Sequence, residues 1–415
     1  MVIITKIHNK YYNIENFKHH GGGDALWHSF GRDSTAMFEM YHPFVSKDKL
    51  QSILKKYEVS ADKAKPFLLQ GEDGVPQFEF DTEFSKEIKQ EVYNYFQEEA
   101  KKNNTTIRKI TKASTSRWIL IGFLNLFRIL SIFWWVSGSI YGLFAFPLLS
   151  WLNVMIFHDA CHFSLSDKPF INKIFSFSLF DFTFPTVWYY QHNISHHSYT
   201  NIVNKDVDLY HGSYISRETK EINYKSVHKF QYLFFLIKWF LYYSTVIVNF
   251  IRGLFGNKIF KIIYKNDKYS IVETFLVLLF FYTRYILVLN YINIYSTVIP
   301  TFIFGFLFML NSQITHLHED TFHNEKDWYK HQVLTSSNHS IGSYFGYFFS
   351  GGLNHQIEHH LFPGVNHCHY PYIQPIVERV CEKHNIKYKK FDGYYQAFCS
   401  YYKHIVALSF CEKKK

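Results

Sequence analysis

Histidine is the residue type to follow in this 415-residue chain, which holds 24 of them. In the run HDACH, His158 and His162 stand four apart, so a helix presents both rings on one face, where two imidazoles can share a metal ion. The run HNISHH gives His192 and His196 at the same spacing, with His197 beside them as a ring able to reach a second ion. The run QIEHH gives His359 and His360, with Gln356 one turn before His360. His316 ends a long apolar run and is a further candidate, with His318 and His323 as rivals; His355, next to Gln356, can ligate or simply pack. A single such pair is what a histidine-rich chain produces by chance. Eight rings brought together are a different matter, because they exceed one ion's coordination sphere and so point to two. Neutral nitrogen donors without thiolate suit zinc, copper or iron. Asp159, and Asp206 or Asp208, are placed to orient ligand rings from behind, or else are solvated charges. The five cysteines, Cys161, Cys368, Cys381, Cys399 and Cys411, show no CxxC spacing, which argues against a thiolate site and a disulfide framework and fits a reducing compartment.

These rings need elements that carry them to one place. Two apolar runs, Trp118 to Val136 and Ile140 to Phe157, are separated only by Ser137, Gly138 and Ser139, and each is long enough to cross a bilayer. A second pair, Ile271 to Ile292 and Thr297 to Leu310, extends toward Ile314. The short turns inside the pairs, Ser137 to Ser139 and Asn293 to Ser296, carry no Lys or Arg, whereas the flanks outside do. The positive-inside bias then puts both termini, the central segment and every histidine group on the cytosolic face. Phe230 to Phe255 is apolar but interrupted by Lys238, and is read as lying in the interface. Arg128 and Arg284 fall inside spans, where a charge is costly and is either paired for folding or functional.

The fold class expected is a membrane all-α protein of four transmembrane helices in two hairpins with a cytosolic histidine-rich helical cap, preceded by a small α+β domain. That small domain is residues 1–60, with an alternating stretch at Val2 and Ile4 and an amphipathic segment, Leu50, Ile53, Leu54 and Tyr57, behind the cap Ser46. Residues 61–116 form a connector with turn residues Gly71, Gly74 and Pro76 and a charged helix over Phe84 to Ala100 that lies on the protein or the membrane surface. Residues 117–415 are the membrane domain. The opening MVIITKIHNK lacks the apolar core and cleavage site of a secretory signal, so the first translocation signal is expected to be internal. With 47% hydrophobic and 19% charged residues the chain is neither disordered nor a small scaffold. The net charge of +10 is accounted for by topology and suits anionic headgroups and an acidic carrier equally; no motif points to nucleic acid.

In their order HDACH, QHNISHHSYTN and GGLNHQIEHHLFPGVNH, the histidine groups resemble the three boxes of membrane fatty acyl desaturases, and the Gln heading the third resembles the front-end branch of that family. The resemblance covers roughly Trp118 to Tyr370. It implies a centre of two non-haem iron ions that activates O2 and removes two hydrogens from a fatty acyl chain. By motif matching, His158, His162, His192, His196, His197, His316, His359 and His360 are similar to the family's ligands, with Gln356 where other branches have a further histidine. His316 is preferred over its rivals because Gln313 supplies the family's QxxH pattern. The segment KYYNIENFKHHGGGDALWHSFGRDSTAMFEMYHPF resembles cytochrome b5, which implies haem b held axially by His19 and His42, with Gly21 and Gly22 in the turn. His20 replaces the usual proline and rivals His19. The implied partners are the lipid bilayer, a fatty acyl-CoA or acyl-phospholipid substrate, O2 and a flavin-dependent cytochrome b5 reductase. The implied location is the endoplasmic reticulum membrane. The alternatives are a sphingoid long-chain-base desaturase, a di-iron lipid hydroxylase and, from another class, a metal transporter.

Overall fold

The structure is a computed structural model that describes residues 2–69, 75–256, 258–259, 263–264, 271–287 and 294–411. Gly71, Gly74, residues 288–292 of the third expected span and Asn293 of the turn after it lie outside the described residues.

The N-terminal domain is a three-stranded antiparallel sheet with short helices on it. Strands Ile4–Ile7 and Lys10–Asn13 pair with Ile4 opposite Asn13, and Glu58–Val59 adds to the second. The hairpin turn falls on His8 and Asn9, both at positive φ (49° and 63°), the backbone that a tight two-residue turn demands. Helices Gly23–Trp27, Thr35–Tyr41 and Lys47–Leu54 follow, the last starting after Ser46 as its sequence implies. The connector helix runs Glu83–Lys102, capped by the Thr82 hydroxyl accepting from the Ser85 N–H. It lies on the protein: Phe84, Ile88, Val92 and Phe96 are buried in one cluster with Ile373, Val377 and Val380 of helix Tyr370–Lys383, and Glu87 and Glu91 pair with Lys383 and Arg379.

In the membrane part, helix Thr115–Val136 turns back through Gly138 into Ile140–Leu152, which continues as Val154–Cys161. Helix Tyr295–His316 packs against Ile140–Leu152 and Gln231–Phe240. Among the described residues three helices are long and apolar enough to cross a membrane, and a fourth only if Ser226–Phe240 and Tyr242–Gly253, bent by 65°, count as one span. The third expected span is described as helix Ile271–Phe281 running into a π-helix, Tyr282–Leu287. Ile119, Phe123, Phe127, Phe133, Phe144, Leu148, Phe275 and Leu278 are exposed on these helices, an apolar belt of the kind that only lipid covers comfortably.

The two arginines inside spans have structural partners. Arg128 donates to Ser150 Oγ at 3.1 Å and to the Asp181 carboxylate. Arg284 donates to the Asp181 carbonyl at 3.1 Å, to the Thr297 carbonyl at 3.0 Å and to the Thr301 hydroxyl. Both cations thus meet at Asp181, one through its carboxylate and one through its carbonyl, which satisfies groups that hydrocarbon would otherwise leave unpaired.

Candidate metal centre and haem site

His158 sits in helix Val154–Cys161 and His162 caps its end, directly where the second membrane helix leaves the apolar belt. His192 and His196 lie in a buried π-helical segment, Tyr189–His196, and His197 directly follows it, its N–H bonding to the His192 carbonyl five residues back. His316 ends helix Tyr295–His316, and Gln356, His359 and His360 lie on the short helix Gln356–Leu361.

All eight predicted rings are buried and fall into two nests. The ligand nitrogens of His158, His162, His192, His197 and His359 lie within 4.8 Å of one another, and those of His196, His316 and His360 form the second set. The π-helix decides the division. At i, i+4 spacing His192 and His196 would share an ion, as the sequence reading expects. With hydrogen bonds reaching five residues back, His192 and His197 superpose instead, and His196 turns to the second nest. Gln356 Nε2 meets His316 Nε2 at 2.8 Å, so the glutamine stands in the second nest beside His360, as its one-turn spacing implies.

The residues fit metal ions by a test independent of spacing. Five rings have Nδ1 held from behind, and in three of them Nε2 is left bare. His162 Nδ1 is held by Tyr41 (2.8 Å), His359 Nδ1 by Tyr370 (3.2 Å), His360 Nδ1 by Gln332 Oε1 (2.8 Å), His316 Nδ1 by the Thr335 carbonyl (3.0 Å) and His196 Nδ1 by Asp206 (3.0 Å). The Nε2 atoms of His162, His359 and His360 are buried with no hydrogen-bond partner among the described residues. In the first nest His192 Nε2 faces both His158 Nε2 (2.7 Å) and His197 Nε2 (3.1 Å). Buried nitrogens left without donors, gathered in two tight sets, cost free energy unless a cation takes their lone pairs. Burial, reinforced by neighbouring rings, holds His162, His192, His197, His359 and His360 well below the usual imidazole range, hence neutral and able to ligate. For His196 burial pulls down as well but is outweighed by Asp206 and Asp208, which raise it to about 9, so a metal ion binding there displaces a proton.

The rivals separate cleanly. His318 bonds Ser337 and Lys389, His323 is bound to the Asp320 carbonyl, and His355 sits 3.7 Å from Glu358; none joins a nest. Sequence reasoning missed His367. Its ring packs 5.1 Å from that of His158 and 5.2 Å from that of His359, its Nδ1 pairs with Asp159, and its Nε2 is buried and unpartnered. It is seven residues beyond His360, across Pro363, where no helical period flags it. Gly352, at φ 84°, makes room: a Cβ there would stand 2.7 Å from the His367 ring. The anchors Tyr41, Gln332, Thr335 and Tyr370 were equally invisible, because nothing in their spacing marks them.

In the N-terminal domain His19, His20 and His42 bring their ring nitrogens within 4.8 Å of one another beside a cavity of about 530 Å³. Ile14, Phe17, Leu26, Phe38, Ile53 and Leu54 supply its apolar wall. His42 Nδ1 donates to the Phe38 carbonyl at 2.7 Å, leaving Nε2 for an axial bond. A Cβ on Gly21 would stand 2.9 Å from the His19 ring, so the turn needs glycine there. An apolar slot between facing imidazoles fits haem. The same cavity is lined by His162, Phe163 and Asn193 of the membrane domain, so it opens against the metal centre.

Comparison with known proteins agrees with this geometry. Residues 130–392 match the model of the fatty acid desaturase family, and residues 3–61 match the cytochrome b5-like haem/steroid binding domain. The Delta(5) fatty acid desaturase A of Dictyostelium discoideum is 31% identical, covering 95% of this chain and 88% of its own. The acyl-lipid (8-3)-desaturase B of the same organism is 30% identical over 92% and 86% of the two chains, and the acyl-lipid (8-3)-desaturase of Mortierella alpina is 28% identical over 100% and 95%. No solved structure matches the chain significantly. A front-end order of histidine groups, two buried histidine nests at the ends of apolar helices and a haem slot beside them therefore have one explanation: the chain belongs to the fatty acid desaturase family, in the form that carries its own cytochrome b5-like domain.

Proposed function

We propose that the chain inserts a cis double bond into a long, already unsaturated fatty acyl chain, on the carboxyl side of the existing double bonds, at the cytosolic face of the endoplasmic reticulum membrane. The observation that carries this is the pair of nests with Gln356 in the second, at the head of the third histidine group, in a chain similar along nearly its whole length to Delta(5) and (8-3) acyl-lipid desaturases. His158, His162, His192, His197 and His359 would hold one iron ion, and His196, His316, His360 and Gln356 the other. Iron bound there supplies oxidising power from O2, which takes up two electrons and two protons with the two substrate hydrogens and leaves as two waters. The protein's part is positional. Tyr370, Gln332, Thr335 and Asp206 fix ring orientation and tautomer, so that the Nε2 lone pairs need not reorganise. Trp188, its ring 4.4 Å from His192, and Phe308, 5.7 Å from Trp188, provide an apolar floor on which methylene groups can lie and from which water is excluded. Electrons would enter from a flavin-dependent cytochrome b5 reductase through the haem site of the same chain, with His19 and His42 as axial ligands. The substrate is carried on coenzyme A or a phospholipid, and the fatty acyl reading is favoured over a sphingoid base or a hydroxylation because the relatives named above are acyl-lipid desaturases.

The test is lipid profiling of a eukaryotic host fed polyunsaturated fatty acids, with the double bond located by mass spectrometry. A new double bond nearer the carboxyl group, present with the wild type and absent with His359→Ala, supports the reading. New long-chain-base or hydroxylated products with fatty acids unchanged would overturn it.

A further inference from the structure

The haem domain and the metal centre meet at one hydroxyl. Tyr41 is the last residue of helix Thr35–Tyr41, adjacent in the chain to His42, yet its side chain leaves its own domain. Its Oη lies 2.8 Å from Nδ1 of His162 and receives a hydrogen bond from Asn193 Nδ2 at 2.9 Å. His162 belongs to the five-histidine nest, and Asn193 follows His192 of the same nest and is itself fixed by donating to the Cys161 carbonyl at 2.9 Å. The Tyr41 ring is also held by Phe163, at 5.9 Å edge-on, and Phe163 sits in left-handed backbone at φ 55°. A bulky residue keeps that conformation only where its surroundings enforce it.

Resting on the ligand and haem assignments above, we propose that Tyr41 is a positioning residue that registers the haem domain on the metal centre and completes the electron path between them. From the His42 ring through one peptide unit to the Tyr41 hydroxyl the route is bonded throughout, and a single hydrogen bond carries it on to His162. With both groups bound, each passage would oxidise haem iron from ferrous to ferric and reduce one non-haem iron from ferric to ferrous. Two passages supply the two electrons of a turnover, and the flavin reductase restores the haem after each. The same contact orients His162: accepting from Nδ1–H, the Tyr41 oxygen leaves Nε2 of that ring bare, as observed.

Tyr41→Phe keeps the ring and removes only the hydroxyl, so the fold should tolerate it, and three readouts on the purified full chain separate the outcomes. The haem spectrum and the rate of haem reduction by reductase should be unchanged. Re-oxidation of pre-reduced haem by O2 and substrate, followed by stopped flow, should slow about tenfold or more. Loss of non-haem iron to a chelator should accelerate about 10- to 100-fold, the range for losing a residue that holds a ligand from behind. Asn193→Ala should shift both rates in the same direction by less. Unchanged re-oxidation and unchanged iron loss in Tyr41→Phe would overturn the proposal. A Tyr41→Phe chain that re-oxidises normally while His359→Ala abolishes desaturation would overturn the electron path alone and leave the functional reading standing.

Discussion

At the scale of single residues, the groups behind the ligands make the sharpest predictions. Asp206 accepts from His196 Nδ1 and from the Asn201 and Asp208 N–H groups, so its carboxylate is fully committed. Asp206→Asn should therefore weaken the second nest selectively, by about 10- to 100-fold in metal affinity, and a chelator titration should release one ion of two. Equal release of both would remove Asp206 from that role. In the haem slot both rings face His42, that of His19 at 5.9 Å and that of His20 at 6.0 Å, and an axial bond from His19 Nε2 would put its ring proton on Nδ1 and displace the Gly21 N–H that lies 3.0 Å from it. The expected result is loss of the six-coordinate low-spin spectrum in His19→Ala and its retention in His20→Ala; the reverse would move the axial bond to His20. The eight rings that gather into the nests were legible because their spacing and the Gln313 pattern are one-dimensional signals. His367, Tyr41 and Gln332 were not, because Tyr41 reaches His162 across 121 positions, Gln332 reaches His360 across 28, and His367 lies beyond Pro363, so no local period marks them.

At the scale of elements, the first hairpin, the connector helix and the helix after Ser46 were legible within a few residues, since the apolar period is local; the Ser46 side chain, however, makes no cap bond. It did not show that Tyr189–His196 is π-helical, and that error redistributed His196 and His197 between the nests. The wider turn leaves no mark on the residue pattern; in the structure the segment is buried throughout, with the Trp188 ring 4.4 Å from that of His192. The same layer holds the buried Arg128 and Asp181 pair. Asp181→Leu alone should destabilise the detergent-solubilised protein by about 3–5 kcal/mol, because it strands the arginine, and Arg128→Leu with Asp181→Leu should recover much of that loss. Thermal unfolding of the two variants and the wild type measures this, and additive losses would show that the pair is not coupled. The short turn after Thr115–Val136 depends on Gly142, where a Cβ would stand 2.3 Å from the Trp135 nitrogen. Gly142→Ala should cost about 1–3 kcal/mol in the same assay.

At the scale of the whole molecule, the chain places a haem slot and two metal nests on one face of a membrane-embedded bundle, with Tyr41 between them. The design has an acid limit. Burial holds His331 at about 4 and His339 at about 3, while the unfolded chain takes up protons near 6.5. The unfolded state then binds more protons below that pH, so stability should fall as pH drops from about 6.5 toward 4, and hold above it. A flat stability profile across that window would contradict their buried, neutral state. The account's central claim is stoichiometric, and counting iron tests it most directly. Elemental analysis of the purified full-length chain, with haem iron measured separately, should give two non-haem irons and one haem per chain, with His359→Ala losing non-haem iron only. A single non-haem iron in the fully loaded wild type, or none, would contradict the two-nest assignment on which the proposed chemistry rests.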